Sequence, residues 1–263
     1  MRLARAAEAA GYRLEVFETI GSTNDEAMAR AREGDPGRLW IVAHEQKGGR
    51  GRLGRVWASP RGNLYASLLL IDPAPPQSAP QLGFVAGLSL ITALRPLLAN
   101  DPLLAIKWPN DLLHDRAKLA GILLDGSRRP DGRFVCVLGF GVNCAFHPDG
   151  LAYPATDLAT LGASCGPADA LEALSSSILG WLDRWDRGAN FPAIRQGWLA
   201  NAAGVGQPIR VSLGAENLDG VFDSIDERGR LVLAVKGGRR IIEAGDIFML
   251  GARMSSNATG QGE

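Results

Sequence analysis

The apolar residues of this chain fall into short runs divided by polar, glycine and proline residues, a pattern that predicts a succession of strands and helices. Runs typical of strands cover residues 14–17, 39–43, 63–71, 104–107, 118–124 and 134–143, with a turn predicted at residues 108–111. Helical periodicity predicts helices over residues 25–32, 81–98, 169–186 and 193–203. We expect a kink or break before Pro96 and an interruption at Gly197, because proline and glycine weaken helices.

The pattern changes at about Gly206, where short apolar runs begin to alternate with turn residues. These runs cover residues 209–213, 220–225, 231–235, 240–244 and 247–250. Such spacing predicts a small all-β unit of about 45 residues, SH3-like in size. We therefore expect a larger domain at residues 1–204, a small β domain at 205–251 and a disordered tail at 252–263, where no apolar pattern remains.

Composition narrows the class of protein. The chain has 263 residues, of which 46% are hydrophobic, so it can fill a substantial core. Lys and Arg number 28, as do Asp and Glu, and this balance argues against a general nucleic-acid coat. No apolar run approaches the ~20 residues that span a bilayer, and residues 1–10 lack a signal-peptide core. The three cysteines have no C-x-x-C spacing, which argues against zinc and fits a cytoplasmic protein.

The most unusual stretch is residues 47–57, Lys-Gly-Gly-Arg-Gly-Arg-Leu-Gly-Arg-Val-Trp. Glycine accepts backbone angles that other residues resist, so such a loop can wrap closely around a ligand. Arginine offers a planar fork of donors that matches phosphate or carboxylate oxygens. The combination predicts a loop that folds over an anion. A solvated surface tip and a nucleic-acid contact remain open as alternatives.

Two nucleotide-binding motifs can be set aside. Residues 49–54 match G-x-G-x-x-G, but the dinucleotide fingerprint requires a helix to open at its end. Here Pro60 and Gly62 follow, and then a strand-like run. The P-loop pattern G-x-x-x-x-G-K-[ST] does not occur in the sequence.

Polar residues at the start of the first predicted helix have two possible roles. Thr23 with Glu26 has capping-box spacing, so Ser22 and Thr23 could simply cap this helix. A helix N-terminus also gathers unpaired N–H groups that suit a small polar ligand. Both interpretations stay open at this point.

Alternation in the strand at residues 134–143 places Val137, Gly139, Gly141 and Asn143 on one face. Two glycines beside an amide form a flat area on which an adenine ring could lie, because an amide can pair with adenine N6 and N7. A β-bulge or close packing at the glycines is the alternative.

Several short motifs follow one another between residues 14 and 145. They are Gly-Ser-Thr-Asn from Gly21, Gln46 with Gly-Arg-Gly-Arg-x-Gly-Arg-x-Trp from Gly49, Ser-Pro-x-Gly from Ser59, Lys-Trp-Pro-Asn-Asp from Lys107, Lys-Leu-Ala-Gly-Ile-Leu from Lys118 and Gly-x-Gly-x-Asn from Gly139. In this order they resemble the motifs of biotin protein ligases, also called biotin–[acetyl-CoA carboxylase] ligases. One such motif would be weak evidence, whereas the ordered set is specific.

The resemblance implies an α+β fold and an ATP-dependent ligase activity. The fold would be a mixed β-sheet flanked by helices, like the catalytic domain of class II aminoacyl-tRNA synthetases, followed by a small SH3-like β-barrel. Residues 1–204 would then bind biotin and ATP. Biotin's carboxylate would attack the α-phosphate of ATP, releasing pyrophosphate and giving biotinyl-5′-AMP. A lysine of a biotin carboxyl carrier protein domain would then accept the biotinyl group.

The resemblance also assigns roles to individual residues. Biotin contacts are expected at Ser22, Thr23, Asn24, Gln46, Arg50, Gly51, Arg52, Lys118, Gly121, Leu123 and Gly139. ATP contacts are expected at Arg50, Arg52, Arg55, Lys107, Asn110, Lys118 and Asn143. Lys118, Arg50 and Arg52 form the expected catalytic set, with Lys118 as the main catalytic cation, and Asp111 is the expected ligand of Mg²⁺.

The chemistry explains why cations are needed. A carboxylate that approaches a triphosphate meets like-charge repulsion, and negative charge grows on the phosphoryl oxygens in the transition state. Fixed cations and N–H donors offset both effects, with Mg²⁺ assisting at the phosphates. Hydrogen bonds to charged groups contribute roughly 1.5–3 kcal/mol each.

The expected partner is the carrier domain of acetyl-CoA carboxylase or a related biotin-dependent carboxylase. Only 21 residues precede Ser22, and they include a strand, so we expect no DNA-binding helix-turn-helix of the kind that some family members carry. We expect no membrane partner, and the chain could be a monomer or a homodimer. Two rival functions remain: a lipoate or octanoate ligase, and a binding module whose arginines contact RNA or DNA.

Overall fold

The computed structural model describes residues 1–151, 153–214 and 216–250, which form two compact units. The first unit comprises Met1–Ala203 together with Glu227–Gly229. The second comprises Gly204–Asp226 and the chain from Arg230 onward. The tail expected at residues 252–263 lies outside the described residues.

A mixed seven-stranded sheet forms the centre of the first unit. Its strands are β1 (Arg13–Phe17), β2 (Leu39–Ala43), β3 (Leu64–Ile71), β4 (Leu104–Lys107), β5 (Asp111–His114), β6 (Ala117–Arg128) and β7 (Phe134–Val142). They lie in the order β1-β2-β3-β7-β6-β5-β4. The β1–β2 pair is parallel and the other neighbouring pairs are antiparallel.

Helices flank this sheet: α1 (Arg5–Ala9), α2 (Thr23–Arg32), α3 (Leu82–Leu97), α4 (Pro167–Trp185) and α5 (Phe191–Ala200). Helix α2 packs against β2, β3 and β7, while α3 packs against α4 and α5. The apolar cluster beneath α2 joins alternate residues of the three strands, as expected for one face of a sheet. Its members are Ala27, Ala31, Leu39, Ile41, Leu69, Val135 and Val137.

The second unit is a five-stranded antiparallel sheet. Its strands are β8 (Pro208–Ser212), β9 (Asn217–Ile225), β10 (Leu231–Val235), β11 (Gly238–Ile242) and β12 (Asp246–Met249), in the order β11-β10-β9-β8-β12. Alternate apolar side chains are buried, including Ile209, Val211 and Phe222. The predicted fold class, a mixed sheet flanked by helices plus a small antiparallel β unit, is confirmed.

The break predicted before Pro96 and the interruption predicted at Gly197 are wrong. Helix α3 continues through Pro96 and ends one residue later, at Leu97. Helix α5 continues through Gly197. A Cβ on Gly197 would lie 3.3 Å from the Trp181 ring and 3.5 Å from Leu88, so this glycine permits close helix packing.

The segment around residue 111 also differs from its prediction. The turn expected at residues 108–111 is shorter, because Asp111 already pairs with Lys107 at the start of β5. Strand β5 was not predicted, and β6 continues beyond residue 124 to Arg128. Helix α1 was not predicted either. Within the described residues, none of the helices is long and apolar enough to cross a membrane.

The cluster under α2 gives a stability prediction. Leu69 is fully buried, so Leu69→Ala is expected to lower the free energy of unfolding by about 2–5 kcal/mol through lost burial and a residual cavity. Leu103 is 50% exposed, and Leu103→Ala is expected to change it by less than about 1 kcal/mol. Urea denaturation followed by circular dichroism measures both values. Equal losses in the two variants would contradict the assigned core.

Candidate active site

The glycine–arginine loop, residues 47–57, is tied at its base to the segment before α2. The backbone N–H of Lys47 donates to Ile20 O at 2.9 Å, and that of Gly48 donates to Gly21 O at 2.8 Å. The loop then folds back on itself, with Trp57 N–H donating to Gly49 O at 2.9 Å. A cavity of about 320 Å³ lies along it, lined by Gln46, Lys47, Gly48, Gly49, Arg50, Gly54, Val56, Trp57, Ala58 and Ser59.

The turn at residues 22–24 is buried at the start of α2. Of the two residues considered as caps, Ser22 is the N-cap of α2, since its hydroxyl accepts from Asp25 N–H at 3.4 Å, whereas Thr23 is the first residue inside the helix. With the cap supplied by Ser22, the side chains of Thr23 and Asn24 are available for other contacts.

One chain of hydrogen bonds runs from this turn to the glycine–arginine loop. Gln46 Oε1 accepts from Thr23 N–H at 2.8 Å and lies 3.1 Å from Thr23 Oγ1. Gln46 Nε2 donates to Ser59 Oγ at 3.0 Å, and Ser59 Oγ–H donates to Trp57 O at 2.9 Å. A Cβ on Gly49 would collide with Ser59 Oγ and Trp57 O, so the network requires glycine there.

A second chain of hydrogen bonds runs from the same turn into the sheet. Ser67 Oγ on β3 lies 2.7 Å from Thr23 Oγ1 and 2.5 Å from Asn24 Oδ1. Asn24 Nδ2 donates to Asp125 Oδ2 on β6 at 2.8 Å. A Cβ on Gly139 would collide with Asn24 Oδ1, so this glycine makes room for the Asn24 amide.

Three charged side chains form what we call the lysine–aspartate cluster: Lys107, Asp111 and Lys118. Lys118 Nζ lies 2.7 Å from Asp111 Oδ1, and Lys107 Nζ lies 3.5 Å from Asp111 Oδ2. The three side chains are only 18%, 12% and 15% exposed in that order. Little solvent screens them, so the excess positive charge acts strongly on a nearby anion.

Aromatic rings enclose the end of Lys118. Its Nζ lies 5.2 Å from the centre of the Trp57 ring and 5.4 Å from that of Tyr153, within the range of cation–π contacts. Lys118 is thus fixed by a carboxylate and two rings. Neither ring was assigned a role from the sequence, although Trp57 stands inside a recognised motif.

The Trp57 indole lies on the flat glycine face of β7, where the sequence analysis considered an adenine ring. Gly121 and Gly141 are directly paired across β6 and β7. A Cβ on Gly141 would lie 2.6 Å from Trp57 Cε2, and one on Gly121 would lie 3.0 Å from Trp57 Cζ3. Of the two interpretations of these glycines, close packing describes this structure. Trp57 Nε1 is shielded from solvent and has no hydrogen-bond partner among the described residues.

The two asparagines expected to contact the nucleotide donate their side-chain amides to backbone carbonyl groups. Asn110 Nδ2 donates to Ile122 O at 2.6 Å, and Asn110 Oδ1 accepts from Arg52 Nη1 at 3.4 Å. Asn143 Nδ2 donates to the carbonyls of Lys118 and Thr156, at 3.4 and 3.0 Å. Asn110 therefore connects Arg52 with the sheet, while Asn143 fastens Lys118 to the following loop.

That following loop is itself anchored by Asp157. Thr156 N–H donates to Lys118 O at 3.0 Å. Burial opposes ionisation of the neighbouring Asp157 carboxyl, yet Thr160 N–H, at 2.6 Å, and the His147 ring, with Nδ1 2.6 Å away, hold its pKa below the usual value. The loop that carries Tyr153 is therefore fixed close to Lys118.

The side chains of the predicted catalytic cations lie in different parts of the structure. Arg50 forms an ion pair with Asp25 in the first turn of α2, while Lys118 pairs with Asp111 in the sheet. Gly51 N–H donates to Arg55 O at 2.7 Å, which closes the tip of the loop. Arg52 contacts a sheet-side residue that was itself predicted, Asn110.

Leu123, an expected biotin contact, and Asp111, the expected ligand of Mg²⁺, both lie in the sheet. Leu123 pairs with Gly139 across β6 and β7, close to the Gly121–Gly141 pair. Each Asp111 oxygen faces a lysine, so a cation bound to Asp111 would lie close to two ammonium groups. Among the described residues, no group of three or more His, Cys, Asp and Glu side chains could hold a metal ion.

Ser67 and Asp125 were not singled out from the sequence. Ser67 is a lone hydroxyl within the apolar run Leu64–Ile71, and Asp125 follows the apolar run of β6. A polar residue in a strand buried on both faces needs a partner, which is the signal that could have identified Ser67.

Residues 16–143 match the model of the Biotin/lipoate A/B protein ligase family, and residues 204–250 match the model of the Biotin protein ligase C terminal domain. The chain is 39% identical to a biotin–[acetyl-CoA-carboxylase] ligase of Paracoccus denitrificans over 88% of this chain and 98% of that protein. It is 35% identical to a ligase of the same name from Mycobacterium tuberculosis, over 91% and 90% of the two chains.

A solved structure agrees over the same extent. The biotin protein ligase from Aquifex aeolicus in complex with biotin and ATP superimposes with a TM-score of 0.77 at 25% identity. The match covers 90% of this chain and 99% of that chain.

The packing of Trp57 on glycine gives a second prediction. Gly141→Ala is expected to displace the indole, because the new methyl group would lie 2.6 Å from Cε2. Gly126→Ala, on β6, is the matched control, since its methyl group would meet Phe134 at an ordinary 3.4 Å. With 5-fluorotryptophan incorporated, the ¹⁹F resonance lost in Trp57→Phe should shift in Gly141→Ala and stay in place in Gly126→Ala. An unmoved Trp57 resonance in Gly141→Ala would contradict the described contact.

Proposed function

The chain belongs to the biotin protein ligase family, and from this membership we propose that it activates biotin with ATP and transfers the biotinyl group to a carrier protein. In the first step a biotin carboxylate oxygen bonds to the α-phosphorus of ATP, and pyrophosphate leaves. In the second step the neutral amine of a carrier lysine bonds to the acyl carbon, the bond between that carbon and the phosphate oxygen breaks, and AMP and a proton leave. The names of the relatives support a carrier domain of acetyl-CoA carboxylase as the acceptor.

The observation that carries the proposal is the enclosed position of Lys118, between the Asp111 carboxylate and the Trp57 and Tyr153 rings. A cation held in this way is already oriented before the substrate arrives, so little reorganisation is needed during the reaction. We assign Lys118 to the biotin carboxylate and the α-phosphate, where it offsets the repulsion between two anions. Lys107 adds positive charge at the same place, and Asp111 acts as the counter-ion that positions both lysines.

The two hydrogen-bond chains support biotin binding at the turn of residues 22–24. Thr23, Asn24 and Gln46 form one continuous polar array there, and a ureido ring needs such an array. We assign Gly121, Leu123 and Gly139 to the apolar wall of the biotin site. Ser22 contributes as the cap that orients the turn.

The glycine–arginine loop would close over the acid and the nucleotide. Arg50, Gly51 and Arg52 are assigned to the adenylate, and Arg55 to the ATP phosphates. Because the Arg50 guanidinium now pairs with Asp25 on the surface, closure would exchange that carboxylate for a substrate anion. Both Arg50 and Asp25 side chains are substantially exposed, at 42% and 61%, so this ion pair costs little to break.

The nucleotide is assigned to the region of Arg52, Asn110 and Asn143. Since Trp57 covers Gly141, an adenine ring at this position would contact the indole rather than the bare strand. Magnesium would arrive bound to the ATP phosphates, the usual arrangement for this ion at nucleotides. Asp111 does not fit a metal-ligand role here, and no step of the proposal depends on the ion.

Pyrophosphate–ATP exchange tests the reaction and the acid together. We expect exchange that requires biotin, with lipoate supporting it poorly and no exchange in the absence of an acid. The ordered motifs and the C-terminal domain match favour biotin over lipoate. Exchange that depends on lipoate alone would overturn the assignment, and acid-independent nucleic-acid binding with steep salt dependence would favour a binding module instead.

Replacement of the central cation tests the mechanism. Lys118→Ala is expected to reduce biotin-dependent exchange at least about 100-fold, because the ammonium group acts where charge develops in the transition state. Lys236→Ala, in the second unit, is the matched control and is expected to retain the wild-type rate. Thermal unfolding should show that both variants are folded. A folded Lys118→Ala variant with wild-type exchange would disprove the catalytic assignment.

A further inference from the structure

We propose that a second cleft in the first unit binds a small amphipathic organic anion, at a site separate from the one assigned to biotin and ATP. The cleft has a volume of about 580 Å³, against about 320 Å³ for the cavity along the glycine–arginine loop. We call it the arginine cleft, because Arg13, Arg38 and Arg187 are part of its lining. Its ligand carries one carboxylate, phosphate or sulfonate group on a ring or a short apolar chain.

The arginine cleft lies at the opposite end of β2 and β3 from the glycine–arginine loop. It is lined by residues 11–13 before and at the start of β1, 36–38 before β2, 70–73 at the end of β3, and Leu182, Trp185 and Arg187 at the end of α4. The glycine–arginine loop lies between the end of β2 and the start of β3. Strand β3 alone spans about 26 Å over its eight residues, so the two cavities are distinct.

Positive charge exceeds negative charge in the lining. Arg13 is neutralised by Asp35, whose Oδ1 lies 2.7 Å from Arg13 Nη2. Arg38 and Arg187 form no ion pair with any residue that the structure describes, and Asp72 is the one carboxylate that lines the cleft. A net positive charge therefore remains to attract an anion.

Two groups in the lining that could repel an anion already accept hydrogen bonds. Asp72 Oδ1 accepts from Phe134 N–H at 2.7 Å. The last four carbonyl groups of α4, residues 182–185, accept from the N–H of Asp186 and from the N–H and side-chain amide of Asn190. The end of α4 therefore contributes the Arg187 cation to the cleft without unpaired carbonyl oxygens.

Arg38 is held in place but keeps donors for a ligand. Its Nη1 donates to Ala10 O at 3.0 Å, and its Cζ lies 6.0 Å from the centre of the Tyr12 ring. A guanidinium has five N–H groups, so most of those of Arg38 are available to an acid group. Burial raises the pKa of the Tyr12 phenol, so this group stays neutral and does not repel an anion.

The two arginines without an ion pair share an uncommon backbone conformation. The angle φ is 53° at both Arg38 and Arg187. Glycine adopts this left-handed region freely, whereas a Cβ atom disfavours it. Residues held in such conformations are concentrated at ligand sites. At both positions the chain thus has a cationic side chain where the backbone alone would favour glycine.

Much of the remaining lining is apolar and fixed. Leu70, Ile71, Pro73 and Leu182 contribute aliphatic surface. The Trp185 indole is 1% exposed, and its Nε1 donates to Gln81 Oε1 at 2.7 Å, which sets the orientation of the ring. Small-molecule sites commonly combine an apolar cleft of roughly 300–1,000 Å³ with a few charged groups. The arginine cleft therefore suits a ligand with an apolar body and one acid group.

Two fluorescent probes test the need for both parts of the ligand. Anilinonaphthalene sulfonate has an apolar ring system and one anionic group, and phenylnaphthylamine is its counterpart without the sulfonate. Fluorescence titration measures both affinities with and without saturating biotin and ATP. We expect the sulfonate to bind one site per chain, equally well in the presence of biotin and ATP. The neutral probe should bind at least about fivefold less tightly, because it gains no contact with the arginines.

Two substitutions locate the sulfonate. Arg187→Gly removes one cation at a φ that glycine adopts freely, and Arg38→Gln removes the other cation but keeps an amide donor. Each is expected to weaken sulfonate binding about threefold to tenfold, the effect of one partly exposed charge-assisted contact, and to leave binding of the neutral probe unchanged. Arg184→Gln is the matched control, because Arg184 lies over the Trp181 ring outside the cleft. It is expected to change neither affinity.

Three results would overturn the inference. The first is an unchanged sulfonate affinity in both Arg187→Gly and Arg38→Gln, with thermal unfolding showing that the variants are folded. The second is equal affinity of the wild-type protein for the two probes, which would indicate an apolar surface without anion recognition. The third is displacement of the sulfonate by biotin or ATP, which would locate the probe at the site assigned to those substrates.

Discussion

The ion pair between Lys118 and Asp111 is the interaction on which the rest of the site depends. Lys118 is 15% exposed, and an ammonium group so far from water needs a counter-charge close by. Asp111 supplies it at 2.7 Å, and removing one partner of such a pair leaves an uncompensated charge. The β4–β5–β6 meander brings the two together, since β5 begins at Asp111 and β6 begins just before Lys118.

Glycines determine what can approach this pair. Gly121 and Gly141 lie side by side and admit the Trp57 ring, which then contacts Lys118. Gly139 admits the Asn24 amide. The sheet thus serves as a floor on which the turn of residues 22–24 and the glycine–arginine loop can lie close to the backbone. A side chain at any of these glycines would have to move one of the groups that form the site.

Much of the fold could be predicted from the sequence, because most strands and helices have a clear apolar period. Strand β5 could not, since Asp111–His114 is short and follows a Trp-Pro-Asn stretch that is typical of a turn. The motifs identified Lys118 and Gln46, but not the groups that orient them. Tyr153 lies outside those motifs and Asp125 lies just after one of them, and both reach their partners in the site only through strand pairing and loop packing. Partners that depend on tertiary contacts of this kind leave no local pattern.

We propose that the enclosed lysine neutralises two anions so that they can react. A crystal structure of the protein with a non-hydrolysable analogue of biotinyl-5′-AMP would show whether it does. We expect Lys118 Nζ to lie within hydrogen-bond distance of both the acyl and the phosphoryl oxygens, with Asp111 still paired to it. An analogue bound with its acyl-phosphate group elsewhere, and Lys118 contacting only Asp111, would contradict this role of Lys118.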